Sequence, residues 1–340
     1  MGLQQAIARL MPLIETDLRR AVQVPEGSLA AYFGAMHYHL GWADEKLQPA
    51  QSNAGKRLRP LLCLLACEAV GGDPQQALPA ATALELVHNF SLVHDDIQDG
   101  SHTRRGRRTV WDIWGAAHGI NIGDGILVLA RLSLHRLAAA RVPLPRCHTA
   151  IAALDGACLS LCEGQFLDMT FESQPDPGLD QVLAMVRHKT AALLAASAQL
   201  GAIVATEDPI CIGALFRFGE NLGMAFQIQD DILGIWGDEQ VTGKSAATDI
   251  RDRKKTVPVV YSLHHAPQLA ALYRGAHSLG DAEVQSILAI LEQVGARQAA
   301  KAMAEGYSQQ ALRCLEESGI SPTAQQPLRE LAAFLLKREA

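Results

Sequence analysis

Apolar residues recur every three or four positions along almost the whole chain of 340 residues, and this periodicity constrains the fold more than any other feature. Strand-like alternation is hard to find, and short breakers leave segments of roughly 20–35 residues between them. The breakers are GGDP (71–74), VPLPR (142–146), SQPDPG (173–178), TEDP (206–209) and SGISP (318–322). The sequence therefore predicts an all-α fold, a single domain over residues 1–340 with about ten helices, in which residues 1–50 form a helical lead-in.

The charge and the cysteine content exclude several classes of protein. A formal net charge of −6 and a pI of about 6.1 argue against a nucleic-acid partner, which would require a basic surface. No uninterrupted apolar run reaches the roughly 18–20 residues of a membrane span, and the N-terminus lacks the apolar core of a signal peptide. Seven cysteines without a CxxC pair are typical of free thiols in a reducing compartment. We therefore expect a cytoplasmic protein without a membrane span.

Two Asp-Asp pairs each follow an apolar helical segment, in LVHDDIQD (92–99) and FQIQDDILG (226–234). In the first of them, Asp95 and Asp99 lie four positions apart and share a helix face, whereas Asp96 points aside. Carboxylates at this spacing suit Mg²⁺, which is usually held by one or two carboxylates together with substrate phosphates. Two such segments are able to face each other across a cavity. The spacing therefore predicts a Mg²⁺ site at the first Asp-Asp pair.

A loop with basic residues follows each Asp-Asp pair, and further basic residues precede the first pair. Around Mg²⁺, arginines and lysines are typical ligands of a diphosphate, with Arg as a bidentate donor and Lys as a point charge. The alternative is that each charged run is a solvated helix end. This alternative is less convincing because the same arrangement, an Asp-Asp pair followed by a basic loop, occurs twice in the chain. The basic residues concerned are Lys56, Arg57, Arg59, Arg104, Arg105, Lys189, Lys244, Lys254 and Lys255.

Seven stretches over roughly residues 50–265 form an ordered set that is more specific than any single motif. They are GKRLRP (55–60), ELVHNFSLVHDDIQDGSHTRRG (85–106), INIGDGIL (120–127), EGQFLD (163–168), HKTAALLAAS (188–197), FQIQDDILGIWGD (226–238) and TGKSAATDIRDRKKTVPVVYSL (242–263). The set resembles the trans-isoprenyl diphosphate synthases of the polyprenyl synthetase family, most of all geranylgeranyl diphosphate synthases. This resemblance implies long, mostly antiparallel helices around a deep central cavity, and a homodimer.

The resemblance also implies roles for individual residues. Asp95 and Asp99 become ligands of Mg²⁺ with Asp96 in support, and Asp230 holds a further Mg²⁺ with Asp231 nearby, giving about three ions in each active site with substrate bound. The residues implied to bind the allylic diphosphate are Arg104, Lys189, Thr190, Gln227, Lys244 and Lys254. Those implied to hold isopentenyl diphosphate are Lys56, Arg57, His88 and Arg105. The residues expected to carry catalysis are Asp95, Asp96, Asp99, Arg104, Lys189, Asp230, Lys244 and Lys254. A single His on an apolar helix is also compatible with an ordinary core position for His88.

The implied reaction is a prenyl transfer by 1′-4 chain elongation. Mg²⁺ and the basic residues offset charge on the departing diphosphate, so that the allylic C–O bond ionises and the isopentenyl double bond attacks the cation. Phe90 and Ser91, five and four positions before Asp95, lie where the family places the floor of the product cavity. A bulky Phe90 beside a small Ser91 favours an all-trans C20 product, geranylgeranyl diphosphate, with C15 farnesyl or C25 diphosphate as alternatives. Phe90 as ordinary core remains open.

Gly234 stands where the family often has a third aspartate in its second motif. Because Lys244, Asp249, Lys254 and Lys255 are all present, we expect activity to be retained. A class I terpene cyclase is a weaker alternative, since a cyclase has no second substrate for the basic residues of GKRLRP to bind. A non-catalytic subunit of a heteromeric synthase is weaker too, because such subunits tend to lose the first aspartate motif.

Overall fold

The computed structural model describes residues 2–53, 55–174, 176–237, 247–273 and 279–336, and the described chain is almost entirely helical. Within those residues, the only extended pairings are a two-residue antiparallel hairpin and an isolated bridge between Ala43 and Pro49. The predicted all-α class is therefore confirmed. Its physical basis is the one read from the sequence, apolar residues at helical spacing that pack helix on helix.

The contacts between Cα atoms divide the chain into two compact units, and each unit is described by itself. The first unit comprises Met1–Cys158, Ala196–Gly213 and Ile320–Leu328, and the second comprises Leu159–Ala195, Ala214–Gly319 and Arg329–Ala340. The first unit holds the first Asp-Asp pair and the second unit holds the other. A single domain over the whole chain stays a prediction.

Helix α4 is the central element of the first unit, because α1, α3 and α6 all pack against it. Its N-cap is Asp73, whose side chain accepts a hydrogen bond from the Gln75 N–H, and Pro74 is its first helical residue. It ends at the first aspartate motif. The elements are α1 (Leu3–Ala21), α2 (Ala30–His39), α3 (Leu58–Ala69), α4 (Pro74–Gln98), β1 (Thr103–Arg104), β2 (Arg107–Arg108), α5 (Val110–Trp114), α6 (Ala116–His135) and α7 (Leu144–Ser173), which continues into the second unit.

The second unit is built around the long helix that carries the second Asp-Asp pair. Met224, Ile228 and Ile232 recur one turn apart on its buried face and pack in one core cluster. The remaining elements, some of which extend into the first unit, are α8 (Leu179–Val186), a π-helical turn (Arg187–Ala191), α9 (Ala192–Ala205), α10 (Pro209–Trp236), α11 (Thr248–Arg251), α12 (Val257–His265), α13 (Pro267–Tyr273), α14 (Asp281–Gln293), α15 (Ala296–Glu316) and α16 (Pro322–Leu336).

One helical stretch among the described residues, Leu144–Glu172 of α7, is long and apolar enough to cross a membrane by length and composition alone. Only 28% of its most apolar window is buried in the chain. The sequence analysis found no uninterrupted run of this kind because Asp155 and Glu163 divide the segment. A single helix of this kind is weak evidence for a membrane span, since long apolar helices of globular proteins pass the same test.

Candidate functional site

The first aspartate motif lies at the C-terminal end of α4. Asp99 follows the last helical residue, and its N–H donates to the Asp95 carbonyl at 2.9 Å, so the two carboxylates stand one turn apart. The Asp95 side chain is 18% exposed and Asp99 is exposed, whereas Asp96 is 1% exposed. The structure thus places Asp95 and Asp99 on an accessible face and turns Asp96 into the protein, as the helical spacing predicts.

The hairpin after α4 brings Arg104 back onto this motif. Arg104 Nε donates to Asp96 Oδ1 at 2.6 Å, and Arg104 Nη2 donates to Asp95 Oδ2 at 3.4 Å. The chain reverses through Arg105 (φ 54°) and Gly106 (φ 75°), two residues in the left-handed region. Burial raises the pKa of Asp96 to about 6, against the opposing effect of Arg104. Asp96 therefore acts as the buried anchor that orients a guanidinium beside the two accessible carboxylates.

Arg57 does not lie where the sequence analysis expected a ligand of isopentenyl diphosphate. Its side chain is 1% exposed and donates to Glu15 Oε1 and Glu85 Oε1, both at 2.8 Å, and to the Leu40 carbonyl at 3.2 Å. Every guanidinium nitrogen therefore already donates to a protein oxygen. Lys56, the residue before it, is exposed. The geometry assigns Arg57 to a buried ion-pair network rather than to an accessible binding surface.

Arg59, which the sequence analysis left without a role, lies nearer to the other predicted substrate-binding residues. Burial, then the nearby Arg59 and Arg105, lower the pKa of His88 far below its ordinary value, so His88 is neutral. Burial also lowers the pKa of Arg59 to about 10, and its Nε is buried without a hydrogen-bond partner in the described structure. Arg57 precedes α3 as its N-cap residue, in the left-handed region (φ 47°), whereas Arg59 lies in the first turn of the helix. Helical spacing therefore does not relate the two side chains, and the motif alone did not indicate which of them faces this cluster.

His39, at the end of α2, is a second residue that the sequence analysis did not identify. It lines a small pocket together with Asn53, Asp96, Arg104, Arg105 and Arg107. Burial, and then the neighbouring arginines, lower the pKa of His39 to about 3. Among the described residues, its Nε2 is buried without a hydrogen-bond partner. No pattern in the sequence near His39 indicated this position, because only the fold brings α2 to the hairpin.

The second aspartate motif lies near the end of α10. Asp230 is exposed, whereas Asp231 is 6% exposed and accepts hydrogen bonds from Gln227 Nε2 at 2.9 Å and the Val257 N–H at 3.0 Å. Gln227 Oε1 in turn accepts from Thr190 Oγ1 at 2.8 Å. Burial raises the pKa of Asp231 to about 7. This chain of bonds connects the predicted residues Thr190 and Gln227 and ties α10 to the start of α12.

Lys189 and Thr190 lie in the π-helical turn, a conformation that is frequent at functional sites. Gly164 of α7 permits the close approach of this turn, because a Cβ at position 164 would lie 2.6 Å from Lys189 Cα. Lys189 Nζ lies 2.5 Å from Asp168 Oδ2. Asp168 belongs to the quoted stretch EGQFLD but received no role from the sequence. The structure makes it the carboxylate that orients Lys189.

Lys244, which precedes α11, lies outside the described residues, whereas the basic segment after α11 is described. Lys254 is exposed, and its N–H donates to the Asp249 carbonyl at 2.9 Å. Lys255 is 9% exposed, with Nζ 5.0 Å from the centre of the Tyr273 ring. The structure therefore places Lys254, of this neighbouring pair, where an anionic ligand can reach it.

Phe90 and Ser91 lie one turn before the first aspartate motif on α4. The Phe90 side chain is 6% exposed, and its ring meets His94 edge-on at 5.6 Å between centroids. Ser91 is partly exposed, and its Oγ donates to the His88 carbonyl at 2.8 Å. Burial of Phe90 agrees both with a cavity floor and with an ordinary core position.

The donor set of both motifs fits Mg²⁺. Within the described ranges, no group of three or more His, Cys, Asp or Glu side chains is arranged to hold a metal ion by itself. Mg²⁺ does not need such a cage, because it commonly takes one or two carboxylates and completes its shell with phosphate oxygens and water. Asp95 and Asp99 offer two accessible carboxylates, and Asp230 offers one. These residues suit an ion that binds together with a diphosphate.

Comparison with known proteins defines the class to which this fold and these motifs belong. The family model of polyprenyl synthetase matches residues 41–293, and the chain belongs to that family. It is 40% identical over 310 residues to a (2E,6E)-farnesyl diphosphate synthase of Mycobacterium tuberculosis, covering 89% of this chain and 85% of the relative. It is also 40% identical over 326 residues to a geranylgeranyl diphosphate synthase of the same species, covering 95% and 90%. A polyprenyl synthetase structure from Streptomyces coelicolor A3(2) superposes with a TM-score of 0.92 at 33% identity, covering 98% and 100% of the two chains. The predicted family is confirmed.

Proposed function

We propose that this protein is a Mg²⁺-dependent prenyltransferase that condenses isopentenyl diphosphate with allylic diphosphates into a short-chain all-trans product. The observation that carries the proposal is the arrangement at the end of α4. There, Asp95 and Asp99 are accessible on one face, and Asp96 holds the Arg104 guanidinium beside them. A divalent cation and a diphosphate are the ligands that such a set recognises.

Asp95 and Asp99 would hold Mg²⁺ at the first motif and Asp230 at the second, with three ions when the substrates are bound. Bound Mg²⁺ would offset the negative charge that develops on the departing diphosphate. Arg104, Lys189 and Lys254 would bind the allylic diphosphate. Supporting residues are Thr190, Gln227 and Lys244, the last being outside the described structure.

Isopentenyl diphosphate would bind to Lys56, Arg59, His88 and Arg105. We propose Arg59 in place of Arg57, because the Arg57 guanidinium is already committed to Glu15 and Glu85. A neutral His88 among arginines can donate one hydrogen bond to a phosphate oxygen without adding a desolvated charge.

The chemical step needs few groups from the protein. The basic side chains and Mg²⁺ would hold the diphosphate where the allylic C–O bond can ionise. The isopentenyl double bond would then form the new C–C bond at C1 of the allylic carbocation. The proton lost from the product would pass to the released diphosphate, since the resemblance supplies no side-chain base for it. Apolar walls would exclude water, which would otherwise add to the cation.

The proposed product is geranylgeranyl diphosphate, a C20 chain. Sequence identity does not choose the length, since relatives named for farnesyl and for geranylgeranyl diphosphate are both 40% identical to this chain. The choice depends on Phe90, a buried aromatic one turn before the metal motif, with the small Ser91 beside it. If another helix forms the floor of the cavity, C15 or C25 becomes the product.

We also propose a homodimer. Ile120, Val128 and Leu132 lie on one face of α6, with successive spacings of eight and four positions, and are 50–56% exposed. Such a stripe on one helix face is typical of a surface that another chain covers. All seven cysteines are free, which supports a cytoplasmic location. Light scattering after size-exclusion chromatography measures the mass of the particle, and twice 36.6 kDa is expected.

The test of the function is product analysis with purified protein. The protein is incubated with Mg²⁺, labelled isopentenyl diphosphate and C5, C10 or C15 allylic diphosphate, and the chain length of each product is read by mass spectrometry. Elongation that requires both substrates and stops with EDTA is the expected result. Conversion of the allylic diphosphate alone would indicate a terpene cyclase. No conversion of either substrate would overturn the proposal in favour of a non-catalytic subunit.

A further inference from the structure

The space beside Gly234 is filled by a carboxylate from another element. Gly234 lies one turn beyond Asp230 on α10, and a Cβ built on it would overlap Asp249 Oδ2 and lie 2.6 Å from Asp249 Cγ. Asp249 belongs to α11 and is 9% exposed. The Asp249 carboxylate therefore stands where the side chain of residue 234 would begin. Any residue larger than glycine at this position must displace it.

The spacing of Asp230 and Gly234 along α10 matches that of the two carboxylates in the first motif. Asp95 and Asp99 are four residues apart on one helix, and position 234 is four residues beyond Asp230. In the second unit, one carboxylate comes from α10 and the other comes from α11. Asp249 is also near enough to Asp231 to add, after burial, to the rise in the pKa of that carboxyl.

Asp249 has a second connection, to the basic segment. Its carbonyl accepts the Lys254 N–H at 2.9 Å, closing a turn from which Lys254 extends. Asp249 therefore belongs to the same turn as Lys254, a proposed ligand of the allylic diphosphate. Gly234 and Asp249 form one contact that fixes α10 against this turn.

We propose that Asp249 supplies, from α11, the carboxylate that the second motif lacks at position 234, and that Gly234 is the residue that admits it. Asp249 is thus a positioning residue for Asp230 and Lys254 in diphosphate binding. This inference rests on the proposed function. It follows that Gly234→Asp should disrupt the site, because the new side chain would displace Asp249.

The test is an exchange of the carboxylate between the two positions. Gly234→Asp and Asp249→Ala should each lower kcat/KM for the allylic diphosphate by at least about ten-fold. The double variant Gly234→Asp/Asp249→Ala should return to within about three-fold of the wild type, because one carboxylate again occupies the space. Gly234→Asn/Asp249→Ala, which restores volume without charge, should stay low. A double variant no better than the weaker single variant would overturn the proposal.

Binding without turnover gives an independent measurement. The probe is inorganic pyrophosphate with Mg²⁺, and the observable is the rise in Tm that it causes. Asp249→Asn keeps the packing and should reduce this rise while leaving the Tm of the free protein close to wild type. Gly306→Ala on α15 is the matched control, since a Cβ there meets nothing within 4 Å. An undiminished pyrophosphate effect in Asp249→Asn would overturn the positioning role.

These measurements separate the inference from the function on which it rests. If the wild type makes no elongated product, the proposed function fails, and the contact is still tested by the Tm of Gly234→Ala, Asp249→Ala and their double variant. Non-additive losses of Tm would then support the Gly234–Asp249 contact alone. If the wild type is active and the paired substitutions act additively, only the inference fails.

Discussion

Each of the two Asp-Asp pairs combines one accessible carboxylate with one buried carboxylate, but the buried carboxylates have different partners. In each pair the first carboxylate is accessible, and the second is buried, with a pKa raised by burial to about 6 for Asp96 and about 7 for Asp231. The buried Asp96 holds a guanidinium, whereas the buried Asp231 holds an amide and a backbone N–H. The second aspartate of each pair is therefore a buried anchor, which holds a cationic side chain in the first pair and neutral groups in the second.

The largest effect should come from the accessible carboxylates of the first pair. Asp95→Ala or Asp99→Ala should lower kcat by about 10³-fold or more, since each removes electrostatic stabilisation of the departing diphosphate. Thermal unfolding should show an intact fold, because removing repulsion between like charges stabilises the free protein. Steady-state kinetics in saturating Mg²⁺ measures the loss.

A matched control for these variants is Glu207→Ala, which removes a 75% exposed carboxylate from the short segment between α9 and α10. Its rate should stay near that of the wild type. A folded Asp95→Ala enzyme with a near wild-type rate would show that the first pair does not hold the metal, and the comparison between the two motifs would lose its basis.

The next effect contrasts two arginines of the same stretch, GKRLRP. Arg57→Ala should lower the free energy of unfolding by about 3–5 kcal/mol, because it leaves Glu85 buried without its charged partner. Arg59→Ala should leave that free energy closer to the wild-type value and should instead raise the KM for isopentenyl diphosphate by about ten-fold. Urea unfolding and initial rates distinguish these outcomes. A stable Arg57→Ala protein with a raised KM would restore Arg57 as a substrate ligand.

This contrast shows what the sequence can predict and where it stops. Helical periodicity predicts the all-α class, and the four-residue spacing of Asp95 and Asp99 predicts their common face, because both are local properties of a helix. The role of Arg57 depends on Glu15, 42 positions away, and that of Asp249 depends on the space beside Gly234. No local pattern encodes such contacts. The motif indicated the region of the candidate site, and the fold decided which arginine of the motif is committed to buried carboxylates.

A smaller effect on rate, but a large one on the product, is expected at the cavity floor. Phe90→Ala should give C25 and longer chains with the chemical step largely preserved, because one helical turn of about 5.4 Å is on the order of one isoprene unit. Ser91→Phe should shorten the product toward C15. Phe171→Ala, which truncates an equally buried ring of the second unit, is the matched control and should leave chain length unchanged. Mass analysis that finds an unchanged product in Phe90→Ala would move the floor elsewhere and remove the basis for C20.

The smallest effect is a difference in how two buried groups, His39 of the first unit and Asp231 of the second, respond to pH. Burial and nearby arginines lower the pKa of His39 to about 3, below the roughly 6.5 of an unfolded chain, so the unfolded state binds more protons between these values. Stability carried by His39 is therefore present above pH 6.5 and is lost on acidification. The contribution of Asp231 to stability depends on pH in the opposite direction. Burial raises the pKa of Asp231 to about 7, above the unfolded value of roughly 3.9, so its contribution is lost as the pH rises through 7.

Denaturant unfolding at pH 7.5 and pH 5 should show that His39→Gln loses less stability than the wild type on acidification, and that Asp231→Asn gains less. Each variant serves as the control for the other, and equal slopes in both would show that neither buried group titrates differently in the folded chain.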